Sequence, residues 1–81
     1  MRVAVNFFSY FKDLTGCAQG AEELPEGSTL DGLLEKCFTR HPKLRAMKNS
    51  MLVAVGVDYQ SRDYVLKEGD EVSLFPPVQG G

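Results

Sequence analysis

Ser28-Thr29-Leu30-Asp31-Gly32-Leu33-Leu34-Glu35-Lys36-Cys37-Phe38-Thr39-Arg40-His41-Pro42 carries the strongest periodic signal in this chain. Leu30, Leu33, Leu34, Cys37 and Phe38 fall at i, i+3, i+4, i+7 and i+8. On an α-helix these five share one stripe, which must face a core. Ser28 is a suitable N-cap, and Asp31 three residues later completes a capping-box-like pair. Gly32 costs about 1 kcal/mol relative to alanine, but it lies in the first turn. Pro42 disfavours helical geometry at His41, which predicts a helix end near Arg40. One amphipathic helix of this kind covers one face of one sheet, so the flanking segments should supply strands.

Residues 2–8 alternate. Val3, Val5 and Phe7 share one face, and Ala4, Asn6 and Phe8 share the other. Residues 9–14 suit a helical turn that Thr15-Gly16 ends. A weaker strand covers residues 17–24, and Pro25-Glu26-Gly27 reads as a turn. Beyond the helix, residues 43–50 are polar and basic and read as a connection. Residues 51–57 form an apolar run suited to a central, buried strand. Residues 58–63 are turn-like, Tyr64-Val65-Leu66 is a short extended piece, and Lys67-Glu68-Gly69-Asp70 is a turn. Residues 71–75 form the last strand. Pro76-Pro77 stops it, because neither residue donates to a ladder. The order strand, strand, helix, strand, short strand, strand predicts an α+β fold of the β-grasp, or ubiquitin-like, kind. Its mixed sheet has four to five strands under one main helix. A ferredoxin-like fold would need a second helix, which residues 43–50 are too short and polar to supply.

The chain has 81 residues, with 9 Lys+Arg against 11 Asp+Glu and a formal net charge of -2. That length holds one core. The expected organisation is a domain over residues 1–75 and an extended tail over residues 76–81. A mildly acidic chain has no overall drive toward phosphate backbones, so a nucleic-acid partner is not expected. No apolar run approaches the roughly 18 residues that spanning needs, so neither is a membrane. The first apolar stretch is short and lacks a small-residue cleavage pattern, so no signal peptide is expected. Cys17 and Cys37 suit a reducing, cytoplasmic setting. Two cysteines and one histidine make no zinc site, and no metal is expected.

Catalytic inventory is thin. His41 reads as a cation favoured by the helix C-terminus, Cys37 as a small core residue, and Cys17 has no base nearby to activate it. Glu22, Glu23, Glu26, Asp31 and Glu35 read as one solvated acidic face. Lys36, Arg40, Lys43, Arg45 and Lys48 read as a basic one that can steer an acidic partner. Glu68, Asp70 and Glu71 occupy a surface turn without companion ligands.

The end is different. Phe75-Pro76-Pro77-Val78-Gln79-Gly80-Gly81 joins an aromatic strand end, two rigid prolines, one apolar residue and two glycines. Pro-Pro favours an extended conformation that holds a tail off the body. From Pro76 to Gly81 the reach is about 20 Å if extended. Glycines carry no side chain and can thread a narrow channel in a partner. A terminal α-carboxylate is ionised at neutral pH. It can attack the α-phosphate of ATP to give an acyl-adenylate, from which a sulfur or amine nucleophile displaces AMP.

Several segments together resemble the small, sulfur-carrier subunits of molybdopterin synthase. They are Val5-Asn6-Phe7-Phe8 leading into Lys12-Asp13-Leu14-Thr15-Gly16, Ser28-Thr29-Leu30, Leu52-Val53-Ala54-Val55, Leu66-Lys67-Glu68-Gly69-Asp70-Glu71-Val72, and the Phe-Pro-Pro-Val tail. The resemblance spans essentially the whole chain. It implies that an ATP-dependent adenylyltransferase related to ubiquitin-activating enzymes adenylates the Gly81 carboxylate, and that a sulfur donor protein converts it to a thiocarboxylate. It implies a large catalytic subunit that receives the tail, where the sulfur attacks a pyranopterin precursor. The carrier is then not catalytic alone and binds no cofactor; its acyl-adenylate and thiocarboxylate are covalent intermediates. Gly80 and Gly81 would be the active residues. Phe8, Phe75 and Lys12, with Pro76, Pro77, Val78 and Gln79, would bind the partners. Gly56 stands where the family usually has asparagine, and Gln79 where a small residue is common. Two alternatives share the same terminal chemistry: a sulfur carrier for thiamine or cysteine synthesis, and a ubiquitin-like modifier joined to lysines.

Overall fold

Alternation builds the first strand. In β1, Arg2–Phe7, the side chains of Val3, Val5 and Phe7 are buried, while Arg2 and Ala4 lie exposed on the other face. The computed structural model describes residues 1–77. After β1 come α1, Phe11–Thr15; β2, Gln19–Glu23; α2, Leu30–Arg40; a 3-10 helix, Pro42–Met47; β3, Leu52–Val55; β4, Asp58–Tyr59; and β5, Glu71–Phe75. The strands form one five-stranded sheet in the order β2-β1-β5-β3-β4. Strands β1 and β5 are parallel and every other neighbouring pair is antiparallel. A parallel pair needs a long crossover, and the stretch containing α2 provides it. Leu30, Leu33, Leu34, Cys37 and Phe38 of α2 join Val3, Val5, Phe7, Val53, Val55, Val72 and Leu74 in a single core. This is the expected β-grasp, with the predicted helical stripe facing the sheet.

The structure corrects four local expectations. Thr29, not Ser28, is the N-cap of α2: its extended backbone and its Oγ1, which accepts from the Gly32 N–H at 3.4 Å, place it there. Ser28 is held in the preceding turn, where its Oγ donates to the Pro25 carbonyl at 2.7 Å. Second, part of the 43–50 connection is ordered as the 3-10 helix, in which Pro42 occupies the first turn and Leu44 is fully buried. Proline fixes a helix-compatible φ, and the anchor at Leu44 holds the short turn down.

Third, the short fourth strand is Asp58–Tyr59, not residues 64–66. Gly56 adopts φ +61°, a left-handed conformation that lets the chain fold straight back onto β3. Asparagine also tolerates that conformation, which accounts for glycine here where the resembling subunits carry asparagine. Val65 instead makes an isolated bridge to Thr29, and the Leu66 N–H donates to the Ser28 carbonyl at 2.8 Å. This loop therefore clamps the start of α2.

Fourth, Glu22 is not on a solvated face. It is 6% exposed and pairs with Arg40, whose Nε and Nη2 donate to the two carboxylate oxygens at 2.7 and 3.0 Å. These bonds push the Arg40 guanidinium above its ordinary pKa. The acidic and basic stretches thus meet each other. Lys36 Nζ donates to the Glu23 carbonyl at 2.7 Å, and Glu35 accepts from Arg45 and Lys48 at 3.2 and 3.3 Å. The Lys48 hydrogen bond is the main reason the Glu35 carboxyl sits below its ordinary pKa. Arg40→Ala would strand the Glu22 carboxylate away from water, which is costly for a charge. Thermal melting is expected to show a fall of about 4–8 °C, and adding Glu22→Gln to that variant should recover part of it.

Candidate functional site

On β1 the even-numbered side chains face away from α2. One residue past the strand, the Phe8 N–H donates to the Leu74 carbonyl at 3.1 Å, which continues the parallel ladder by one step. The same parity puts Ser73 and Phe75 of β5 on this open face. Phe8 and Phe75 therefore meet, with ring centroids 4.7 Å apart and planes only 10° from parallel. Phe8 is 41% exposed, Phe75 is half-buried, and Leu52 of β3 pairs with Phe75 in register. The result is an apolar row across β1, β5 and β3, at the end of the sheet from which Pro76 departs. The interior of that face is lined with small residues, Ala4, Ala54 and Ser73.

The turn after Phe8 is tight. Ser9 has φ +56°, the one positive value at a non-glycine residue among the described residues. Such a conformation costs on the order of 1 kcal/mol. It lets the Phe8 and Ser9 carbonyls accept from the Phe11 and Lys12 N–H groups, both at 3.1 Å, so α1 starts at once. Phe11 is fully buried, which anchors α1 to the core, and Tyr10 is 39% exposed beside it in sequence. Lys12 is exposed on α1 and makes no side-chain hydrogen bond or ion pair among the described residues. The structure thus brings Phe8 and Phe75 together and leaves Lys12 as a neighbour on the adjoining helix. Leu52 was not singled out from sequence, because the apolar run 51–57 read as uniformly buried. Only its register opposite Phe75 reveals it.

Pro76 and Pro77 follow Phe75 and are half-buried. The remaining tail positions, Val78, Gln79, Gly80 and Gly81, lie outside the described residues.

This patch can dock a partner. Among the described residues its members are the apolar side chains of Phe8, Phe75 and Leu52, and neither cysteine is one of them. Burial, aided by the nearby Glu22 charge, pushes the Cys37 thiol up to about 12. Cys37 is therefore a neutral core group at any physiological pH, whereas Cys17 is half-buried. Titration with an aromatic disulfide reagent should release one thiol from the native protein and the second only after unfolding. His41 caps α2, its N–H donating to the Cys37 carbonyl at 2.7 Å, and its ring meets Phe7 edge-on at 5.5 Å. Among the described residues no cluster of three His, Cys, Asp or Glu is arranged to hold a metal ion. No helix among them is long and apolar enough to cross a membrane.

The sequence pattern of the ThiS family matches residues 5–81. The chain belongs to the ThiS family. Within reach of this ThiS-family sequence is a molybdopterin synthase sulfur carrier subunit from Chlamydomonas reinhardtii. It is 30% identical over 84 residues, with 100% of both chains covered. A solved structure from Pyrococcus furiosus, assigned as molybdopterin converting factor subunit 1, is 35% identical. It superposes with a TM-score of 0.89, covering 96% of this chain and 99% of its own. SAMP1 from Haloferax volcanii shares the ThiS-family fold at a TM-score of 0.92 and 20% identity, with both chains covered completely. The family match extends through Gly81 and so includes the Gly80-Gly81 pair.

Proposed function

We propose that this chain is the sulfur-carrier subunit of a molybdopterin synthase, with the Gly81 carboxylate as the group that bears the sulfur. The observation that carries this reading is the end-to-end similarity to a subunit of that name, 30% identical with both chains fully covered. The stacked Phe8–Phe75 pair beside the departing Pro76 supports it, because a carrier needs a grip close to the root of its reactive segment. An ATP-dependent adenylyltransferase joins AMP to the carboxylate and releases pyrophosphate. Sulfur delivered by a donor protein at the sulfide level, as hydrosulfide, attacks the acyl carbon, expels AMP and leaves a thiocarboxylate. In the large catalytic subunit the sulfur attacks the pyranopterin precursor, and water restores the carboxylate as the acyl–sulfur bond breaks. Acid, base and substrate-binding groups belong to the large subunit, the setting is cytoplasmic, and neither nucleic acid nor membrane takes part.

Incubation with the adenylyltransferase, ATP and a sulfur donor tests this. Intact-mass analysis should show exchange of one oxygen for sulfur, and the product should yield molybdopterin with the large subunit and the precursor. A thiocarboxylate that fails only the second step would assign the chain to another sulfur pathway. Gly81 found joined to lysine side chains, with no thiocarboxylate, would make it a modifier.

The patch has its own test. Truncating a stacked aromatic at the centre of an interface typically costs 10-fold to 100-fold in affinity, and about that loss is expected for Phe75→Ala binding to the large subunit. Phe8→Ala should behave similarly, and the double variant should lose less than the two effects combined, because the rings act as a pair.

A further inference from the structure

The register of β1 and β2 leaves one sheet edge with unsatisfied main chain. Phe7 N–H donates to the Ala18 carbonyl, and Met1 and Leu24 exchange both of their bonds. Pairs alternate along an antiparallel ladder, so the bonded pairs continue through Val5–Gly20 and Val3–Glu22. Gln19, Ala21 and Glu23 therefore direct their N–H and C=O groups outward, away from β1. Edge strands are usually blunted by proline, bulges or inward charges. Here the middle of the edge is Gly20-Ala21, which blocks nothing. Among the described residues the one guard is Lys36, whose ammonium caps the Glu23 carbonyl at 2.7 Å.

Beside this edge, on the α2 side of the sheet, runs a groove of about 490 Å³ lined by Glu22, Gly32, Glu35, Lys36, Thr39 and Arg40. The helical members recur at i, i+3, i+4, i+7 and i+8, so they form one stripe along α2. Nearer Gly20 a smaller hollow of about 190 Å³ is walled by Val5, Phe7, Cys37 and His41, and shares the Glu22–Arg40 pair with the groove. The charges are unequal. Arg40 is balanced by Glu22, and Glu35 has both Arg45 and Lys48, but among the described residues the Lys36 ammonium meets only an uncharged carbonyl.

We propose that β2 is a second docking edge, which takes an extended segment of a partner protein as an added strand, with an apolar side chain toward the Gly20 hollow and an acidic side chain at Lys36. The incoming N–H replaces Lys36 on the Glu23 carbonyl, and the freed ammonium pairs with the carboxylate. Main-chain bonds at Gln19 and Ala21 supply the rest, as in strand addition generally. This edge borders the face covered by α2, whereas Phe8 and Phe75 lie on the opposite face, so the two surfaces can be used at once.

Backbone amide spectra of the full chain test this with two synthetic probes: a short alternating Val-Thr peptide flanked by aspartates, and the same peptide flanked by lysines. With the acidic probe, the amides of Gln19, Ala21 and Glu23 should shift and exchange more slowly with solvent. The basic probe should bind at least about tenfold more weakly. Ala21→Pro removes an outward N–H without touching the ladder to β1, and Lys36→Glu reverses the recruiting charge. Each should weaken the acidic probe by about tenfold or more, while Phe8→Ala leaves it unchanged within about twofold. Absence of shifts at millimolar probe, shifts confined to the Phe8–Phe75 face, or equal binding of the two probes would overturn the proposal. So would shifts of the same amides on concentrating the protein alone, which would assign the edge to a second copy of this chain.

Discussion

Deletion of Gly81 is expected to abolish thiocarboxylate formation while leaving the melting temperature unchanged. On the carrier reading, the reacting atom is the α-carboxylate, and deletion moves it back to Gly80, about 3.5 Å along the chain. A misplacement of about 1 Å at a reacting centre already costs up to 100-fold, so the loss should exceed that. The fold should not notice, because every buried core residue among the described residues lies between Val3 and Leu74. Intact-mass analysis after incubation with the adenylyltransferase, ATP and sulfur donor reads the chemistry, and thermal melting reads the fold. One added residue after Gly81 should have a comparable effect. A deletion variant that still acquired sulfur would place the reactive group elsewhere.

Phe38→Ala should do the opposite, removing the fold and taking function with it. Phe38 is 1% exposed at the end of the helical stripe, and the Arg45 guanidinium lies 5.4 Å above its ring. Truncating a buried phenylalanine costs about 3–5 kcal/mol, from lost burial and the cavity left behind. A domain of this size is stable by roughly 0.05–0.15 kcal/mol per residue, so that loss consumes much of the total. Urea denaturation should show the midpoint falling by about half or more with an unchanged slope. Phe8→Ala is the instructive contrast. Its ring is 41% exposed, so the midpoint should barely move while partner affinity falls. Equal destabilisation by both substitutions would mean that Phe8 is core and not a docking residue.

Much of the architecture was legible because its signals are local. The α2 stripe, its end before Pro42, the alternation of β1 and the stop at Pro76-Pro77 each follow from spacing within a few residues, and all four stand in the structure. The failures were local in another way. Ser28 and Thr29 are both good caps, and the choice went to Thr29 because the Pro25 turn engages Ser28 first. The fourth strand was misplaced because a two-residue edge strand carries almost no periodicity, and the left-handed turn at Gly56 outweighed the apolar character of residues 64–66.

The sequence by itself determined α2, β1 and β5 and the faces that α2 and β1 bury. Period and propensity act over a few residues, so they can be read without a fold. Only the tertiary structure decided that Phe8 stacks on Phe75, that Leu52 joins them, that Glu22 is buried against Arg40, and that β2 is left as an open edge. Each of these depends on strand order and register. The parallel pairing of β1 with β5 joins segments from opposite ends of the chain, and no periodicity within either segment specifies which residue will lie opposite which.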